Sequence, residues 1–210
     1  INEKGQVLHL GLSYVNYDAD ADTLRVRARP NADLATARLI DSGNLTDTDR
    51  VSTIGAEAMY FQGPFKAQAE YYTSKAKRYD HDNYTSDGYY ISGVWNVTGE
   101  TWSYKGGTPG TGLPNNPAGG QWQLGVRYDH MDLNDGNLAA NPVAGRPPIV
   151  DGVLGGKMDI WTVGANWYLR SNFKLMLNYV MVDSKKYSST ARGFVNDDPN
   201  ILEARAQFFW

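Results

Sequence analysis

With 210 residues the chain is long enough to bury one sizeable core, and its net charge of −3 at a pI near 5.6 leaves no excess of lysine and arginine to displace counterions from nucleic acid. Its lack of cysteine excludes disulfides, thiolate metal sites and cysteine nucleophiles. A mean hydropathy of −0.50, with no stretch near roughly 18 consecutive apolar residues, excludes a transmembrane helix but leaves open membrane-spanning strands, which alternate and average to polar.

The chain begins INEKGQ, with neither a charged nor an apolar leader, so any export signal is expected to have been removed or to lie further upstream. Residues 7–17 alternate Leu8, Leu10, Leu12 and Tyr14 with His9, Gly11 and Ser13, the period of a strand with one apolar face. DADAD, residues 18–22, is expected to turn tightly into residues 23–30, TLRVRARP. There Arg25, Arg27 and Arg29 take every second position. On a strand their guanidinium groups share one face, about 6.6 Å apart, while Leu24, Val26, Ala28 and Pro30 take the other. Like charges that close are tolerable only where water, carboxylates or a bound anion reaches them. A strand with a wet cationic face and an apolar face suits the wall of a membrane pore.

A polar stretch at 31–50, long for a hairpin loop, leads to 51–61, where Ile54, Ala56, Ala58 and Tyr60 oppose Gly55, Glu57, Met59 and Phe61. QGP turns the chain into 65–75, with Phe65, Ala67, Ala69 and Tyr71 opposed to Lys66, Gln68, Glu70 and Tyr72. After a polar loop at 76–88, residues 89–97 put Tyr89, Ile91, Gly93, Trp95 and Val97 on one face. Residues 98–120 hold most of the Gly and Pro density and read as a loop, because the strand pattern resumes after them. Trp122, Leu124, Val126 and Tyr128 then mark the apolar face of 121–131. Past a loop at 132–156, residues 157–169 present Trp161, Val163, Ala165, Trp167 and Leu169. RSN turns into 173–183, with Phe173, Leu175, Leu177, Tyr179 and Met181, and a loop ending in DDPN precedes the last strand, 201–210.

The pattern predicts an all-β, antiparallel up-and-down transmembrane barrel, with about nine strands of the length a tilted spanning strand needs. Short connections at DADAD, QGP and RSN alternate with long polar ones at 31–50, 76–88, 132–156 and 184–199, as periplasmic turns alternate with outer loops. The stretch 98–120 is long although parity puts it on the periplasmic side. Bacterial barrels normally close with an even count, so nine strands read as the C-terminal part, residues 1–210, of a larger barrel lacking its N-terminal strands.

The strand LRVRARP, the hairpin VSTIGAEAMYFQGPFKAQAEYY, the segment YYISGVWNVTGETWSYKGG and the ending ILEARAQFFW together resemble the C-terminal half of the phosphate-selective porins O and P of Gram-negative outer membranes. The resemblance covers nearly the whole chain, and Thr98, Gly99, Glu100, Tyr104 and Lys105 after the hairpin are its most specific part. It implies a homotrimer of 16-stranded barrels, set in lipid and lipopolysaccharide, with an arginine ladder leading phosphate inward. By resemblance Arg25, Arg27 and Arg29 are rungs, residues 98–120 fold toward the lumen, and the inward constriction loop lies outside this sequence. The last strand alternates Leu202, Ala204, Ala206, Phe208 and Trp210, the pattern outer-membrane assembly reads, though it ends in Trp where Phe is commoner.

Two readings of the arginine row stand side by side. In one, bidentate N–H forks capture phosphate, pyrophosphate or polyphosphate and hand it along. In the other, Glu57 and Glu70 neutralise the arginines as cross-strand pairs. Lys66, Arg127 and Arg205 fall on the inferred lumen face and complete the candidate anion-binding set, and Lys185 and Lys186 sit at an outer strand end. His81 and His130 each follow Tyr-Asp, but neighbours on an extended chain face opposite ways, so Asp129 cannot orient His130. DADAD lacks the Gly and Glu of a calcium loop, and GGTPGTG lacks the Lys-Ser/Thr of a phosphate loop. The expected function is an anion-selective porin without cofactor; the alternatives are a general or structural outer-membrane barrel and an outer-membrane enzyme.

Overall fold

Alternating segments become a sheet wherever each finds a neighbour in register. The computed structural model describes residues 2–112, 114–170 and 172–208; Ser171 of the RSN turn and the terminal Trp210 lie outside the described residues. The strands are β1 (Asn2–Glu3), β2 (Gln6–Asp18), β3 (Arg27–Ala28), β4 (Ile40–Asp41), β5 (Thr48–Gln62), β6 (Phe65–Arg78), β7 (Tyr84–Asn96), β8 (Trp102–Lys105), β9 (Thr108–Thr111), β10 (Gln121–Ala139), β11 (Ile149–Arg170), β12 (Phe173–Ser188), β13 (Gly193–Asp197) and β14 (Asn200–Phe208). One antiparallel sheet runs β1-β2-β5-β6-β7-β10-β11-β12, with β13 and β14 both on β12. It is open: among the described residues, neither β14 nor the rest of β2 has a partner on its far edge.

The register aligns the apolar faces across the whole sheet. Leu10 meets Ala58, Ala58 meets Ala69, Ala69 meets Ile91 and Ile91 meets Tyr128, and these residues all lie on one outer face. That face stays exposed, up to 87% at Leu12, with no layer of protein over it among the described residues. Aromatic residues bracket it at a constant spacing on five neighbouring strands: Phe65 and Tyr71, Trp95 and Tyr89, Trp122 and Tyr128, Trp167 and Trp161, Phe173 and Tyr179. Six residues along a strand is about 20 Å. Only Ala, Gly, Ile, Leu and Val occupy the outer face between the two rows. Trp122 stacks on Trp167 with centroids 5.2 Å apart, and Tyr128 lies 4.9 Å from Trp161. An apolar band with two aromatic girdles is the surface a lipid-facing barrel wall presents.

Eight strands of nine residues or more form the wall among the described residues, in place of nine. The discrepancy is the arginine segment. β2 pairs directly with β5, from Gln6 against Gln62 to Asp18 against Arg50, which leaves no slot between them. DADAD is therefore not a tight turn between wall strands. Ala21 and Asp22 take left-handed backbone conformations there, at φ 49° and 51°, and the chain leaves the sheet. Residues 19–47 fold over the inner face, the side opposite the aromatic girdles. The outer loops are also shorter than predicted, because β6, β7, β10 and β11 carry their pairing past the girdles to 78, 84, 139 and 149.

Three buried clusters lie on the inner face. Ile40 packs with Leu133, Met158, Ile160, Val180 and Val182, and Val26, Ala28 and Leu39 join them. Leu45 packs with Val51, Ala76, Tyr84 and Val153, joined by Leu24 and Val26. Burying a side chain such as Ile40 contributes about 1.5–3 kcal/mol, so the underside of the inward segment is held as firmly as a small core. At the opposite end Trp102 of the β8–β9 hairpin packs on Val7, Met59 and Phe61, and its indole N–H donates to the Pro64 carbonyl at 3.0 Å. The β8–β9 hairpin of the 98–120 stretch thus lies against the inner face, whereas Gly119 accepts from the indole N–H of Trp167 in the outer girdle at 2.9 Å.

Candidate functional site

The site grows from the period of two in residues 24–29. Leu24, Val26 and Ala28 face the sheet and enter the buried clusters, which turns Arg25, Arg27 and Arg29 away from it into open space on the inner side. The three arginines share a face, as predicted, but the apolar residues opposite them meet the protein wall and not lipid. β3 and β4 hold the segment by placing Ala28 across from Ile40 and Arg27 across from Asp41, and Leu24 and Leu45 exchange backbone hydrogen bonds at 3.0 and 2.8 Å.

Carboxylates pick out some of the cations. Arg25 donates from Nε and Nη2 to the two oxygens of Asp41, at 2.9 and 2.5 Å. These bonds are the main reason Asp41 is held down to about 2, below the usual carboxylate range, with the Gly43 N–H adding to them. Arg127 donates to both oxygens of Asp129 at 2.9 Å, and its guanidinium lies 3.6 Å over the Tyr90 ring. Asn31 of the inward segment also donates to Asp129, at 2.7 Å. Arg205 of β14 pairs with Asp33 at 2.6 Å, and the Asp33 N–H reaches Glu203 at 3.3 Å. Arg27 and Arg29 have no ion-pair partner among the described residues.

The structure therefore brings five of the six candidates to the inward segment or its anchors. Arg25, Arg27 and Arg29 lie on it, while Arg127 and Arg205 hold it through Asn31 and Asp33. A cavity of about 300 Å³ lies beneath, with Arg29, Asn31, Tyr72, Tyr90 and Asp129 among its lining. Lys66 is separate: its ammonium sits 4.8 Å over the Trp102 ring, against the β8–β9 hairpin. The expected neutralisers are also corrected. Glu57 bonds His9 at 2.9 Å, and Glu70 accepts from Gln68 at 3.0 Å, Tyr72 at 2.8 Å and Tyr90. Neither reaches the arginine row, because it does not belong to the wall ladder.

The partners that sequence reasoning missed divide in two. Arg127 and Asp129 stand two apart on one strand and so share a face, a signal present in the sequence. Asp33 meets Arg205 of β14 from 172 residues away and Asn31 meets Asp129 of β10 from 98 residues away, and no local pattern announces that. His130 pairs across strands with Asp159 at 2.7 Å and His81 of the β6–β7 loop with Asp47 at 2.7 Å, while Asp129 turns to Arg127 on the other face. Two unpaired guanidinium groups beside three neutralised ones, over an apolar base, can bind an oxyanion through paired N–H donors without a rigid cage.

The chain matches the family "Phosphate-selective porin O and P" over residues 1–210. It is similar to Porin O of Pseudomonas aeruginosa, 27% identical across 99% of this chain and 50% of that protein. It is also similar to an uncharacterized protein of Caulobacter vibrioides, 31% identical across 95% of this chain and 39% of that protein. The chain thus spans about half or less of the length of the curated relatives it matches.

Proposed function

This chain belongs to the phosphate-selective porin O and P family, a family of channels and not of enzymes, and from that premise we propose that it forms part of an outer-membrane pore that draws phosphate or polyphosphate past an inward-folded arginine row. The supporting observation is the placement of Arg27 and Arg29: exposed, on the inner side, on one face, and free of carboxylate partners among the described residues. A passing anion gains charge-assisted N–H bonds at each guanidinium and is released because neither site encloses it. The girdled outer face turns to lipid. On this reading the barrel is completed by further strands, to 16 as the resemblance implies, and three copies assemble; light scattering of the detergent-solubilised full-length protein tests the latter.

The deciding experiment is conductance of the full-length protein in planar bilayers. Arg27→Gln/Arg29→Gln is expected to lose saturation with phosphate and to lower anion-over-cation selectivity; wild-type saturation in this variant overturns the proposal. A second reading, a general porin with no selective site, draws on the three ion pairs that neutralise Arg25, Arg127 and Arg205. It requires wild-type current that rises linearly with phosphate.

A further inference from the structure

The three arginines of the row are not equivalent, and the difference lies in Asp41. This carboxylate stands directly across the β3–β4 ladder from Arg27 but is taken by Arg25, which donates to both of its oxygens at 2.9 and 2.5 Å. The Asp41 side chain is only 11% exposed and accepts a further bond from the Gly43 N–H at 2.9 Å, so it is anchored at three points. The Arg25 side chain remains 43% exposed, and Arg27 and Arg29 are exposed as well. A phosphate approaching Arg25 would have to displace a carboxylate already bound bidentately, which exchanges one charge-assisted pair for another. At Arg27 and Arg29 it displaces only water.

Resting on the pore reading above, we propose that Asp41 is a specificity-determining residue that withholds Arg25 from the passing anion, so that the pore offers a two-arginine station matched to a single phosphate and not a three-arginine row matched to longer oligophosphates. Two rungs are about 6.6 Å apart and three span about 13 Å, a length that a chain of several phosphates can bridge and one phosphate cannot. Conduction needs a site strong enough to enrich the anion and weak enough to release it. Asp41 sets that balance by cancelling one charge of three. The charge of Lys186 on β12 also favours the ionised Asp41 carboxylate.

The test uses the full-length protein in planar bilayers, with half-saturating inorganic phosphate and block by tripolyphosphate as readouts. Asp41→Asn keeps the shape of the side chain but frees Arg25, and is expected to lower half-saturating phosphate about three- to tenfold and to strengthen tripolyphosphate block by more. Arg25→Gln releases the Asp41 carboxylate against Arg27 and is expected to raise half-saturating phosphate, and Asp41→Asn/Arg25→Gln, which removes both charges of the pair, to restore wild-type values. Should Asp41→Asn fail to insert, Asp41→Asn/Arg25→Gln decides: wild-type half-saturation supports the proposal, and weakening equal to that of Arg27→Gln overturns it. Wild-type half-saturation in an inserted Asp41→Asn also overturns it, while the pore reading survives if Arg27→Gln/Arg29→Gln has lost saturation. If that double variant still saturates, both fail.

Discussion

Asp41 keeps its charge far into the acid range because Arg25 hydrogen-bonds both of its oxygens, which moves the carboxyl from an ordinary 3.8 to about 2. A depressed carboxyl contributes stability that is fully present above its ordinary value and is lost as pH falls through the folded value. Protection factors of the Leu24, Leu39, Ser42 and Leu45 amides, whose N–H groups bond across the inward segment, should therefore hold steady down to about pH 4 and fall toward pH 2. Protection that fails near neutrality would remove Asp41 as the tether. A second residue-scale constraint is Gly120, at φ +71°, where an added Cβ would come within 2.6 Å of the Tyr168 carbonyl oxygen. Gly120→Ala is expected to destabilise the junction of 98–120 with β10, seen as a lower melting temperature, whereas Gly63→Ala, with nothing within 4 Å of its Cβ, should cost only its left-handed backbone. The row Arg25, Arg27, Arg29 was legible as a shared face from its spacing alone. Its selective neutralisation was not, because Asp41 lies beyond the intervening residues with no periodic relation to Arg25.

Among the elements, the inward segment is where prediction and structure part. Residues 23–30 satisfy the alternation of a wall strand, but Pro30 lacks a ladder N–H, and Leu24, Val26 and Ala28 are too few to cross an apolar band. The polar stretch after it carries Leu39, Ile40 and Leu45, which complete the underside of the hairpin. Its outer base is clamped at Asp47, which pairs with Arg78 of β6 at 2.6 Å and bonds His81 at 2.7 Å. Burial pushes the Asp47 carboxyl up, and the His81 and Arg78 bonds more than offset it, to about 2. With both members of the Asp47–Arg78 pair one-tenth exposed, Asp47→Ala strands a guanidinium. It should lower the free energy of local opening at 45–48 and 79–83 by about 2 kcal/mol in hydrogen exchange. No change would mean the clamp is decorative.

At the scale of the whole molecule, the register carries one apolar face across eight strands, and the aromatic rows mark where lipid gives way to water. Leu177 lies inside that band, half exposed, between Phe173 and Tyr179. Leu177→Arg should weaken insertion into vesicles by about 2–4 kcal/mol in a urea titration, whereas a charge at Met176 on the inner face should cost far less. Equal effects at both positions would refute the assignment of the outer face. Alternation in the sequence by itself determined that the chain is antiparallel β and which side chains share a face on each strand. It could not say whether a two-faced segment joins the wall or lies upon it, because lipid and an apolar protein surface reward the same pattern of buried side chains. Only the pairing of β2 with β5 along their full length decided that, by closing the gap the arginine segment would have filled and leaving the inner face as the remaining place to bury Leu24, Val26 and Ala28.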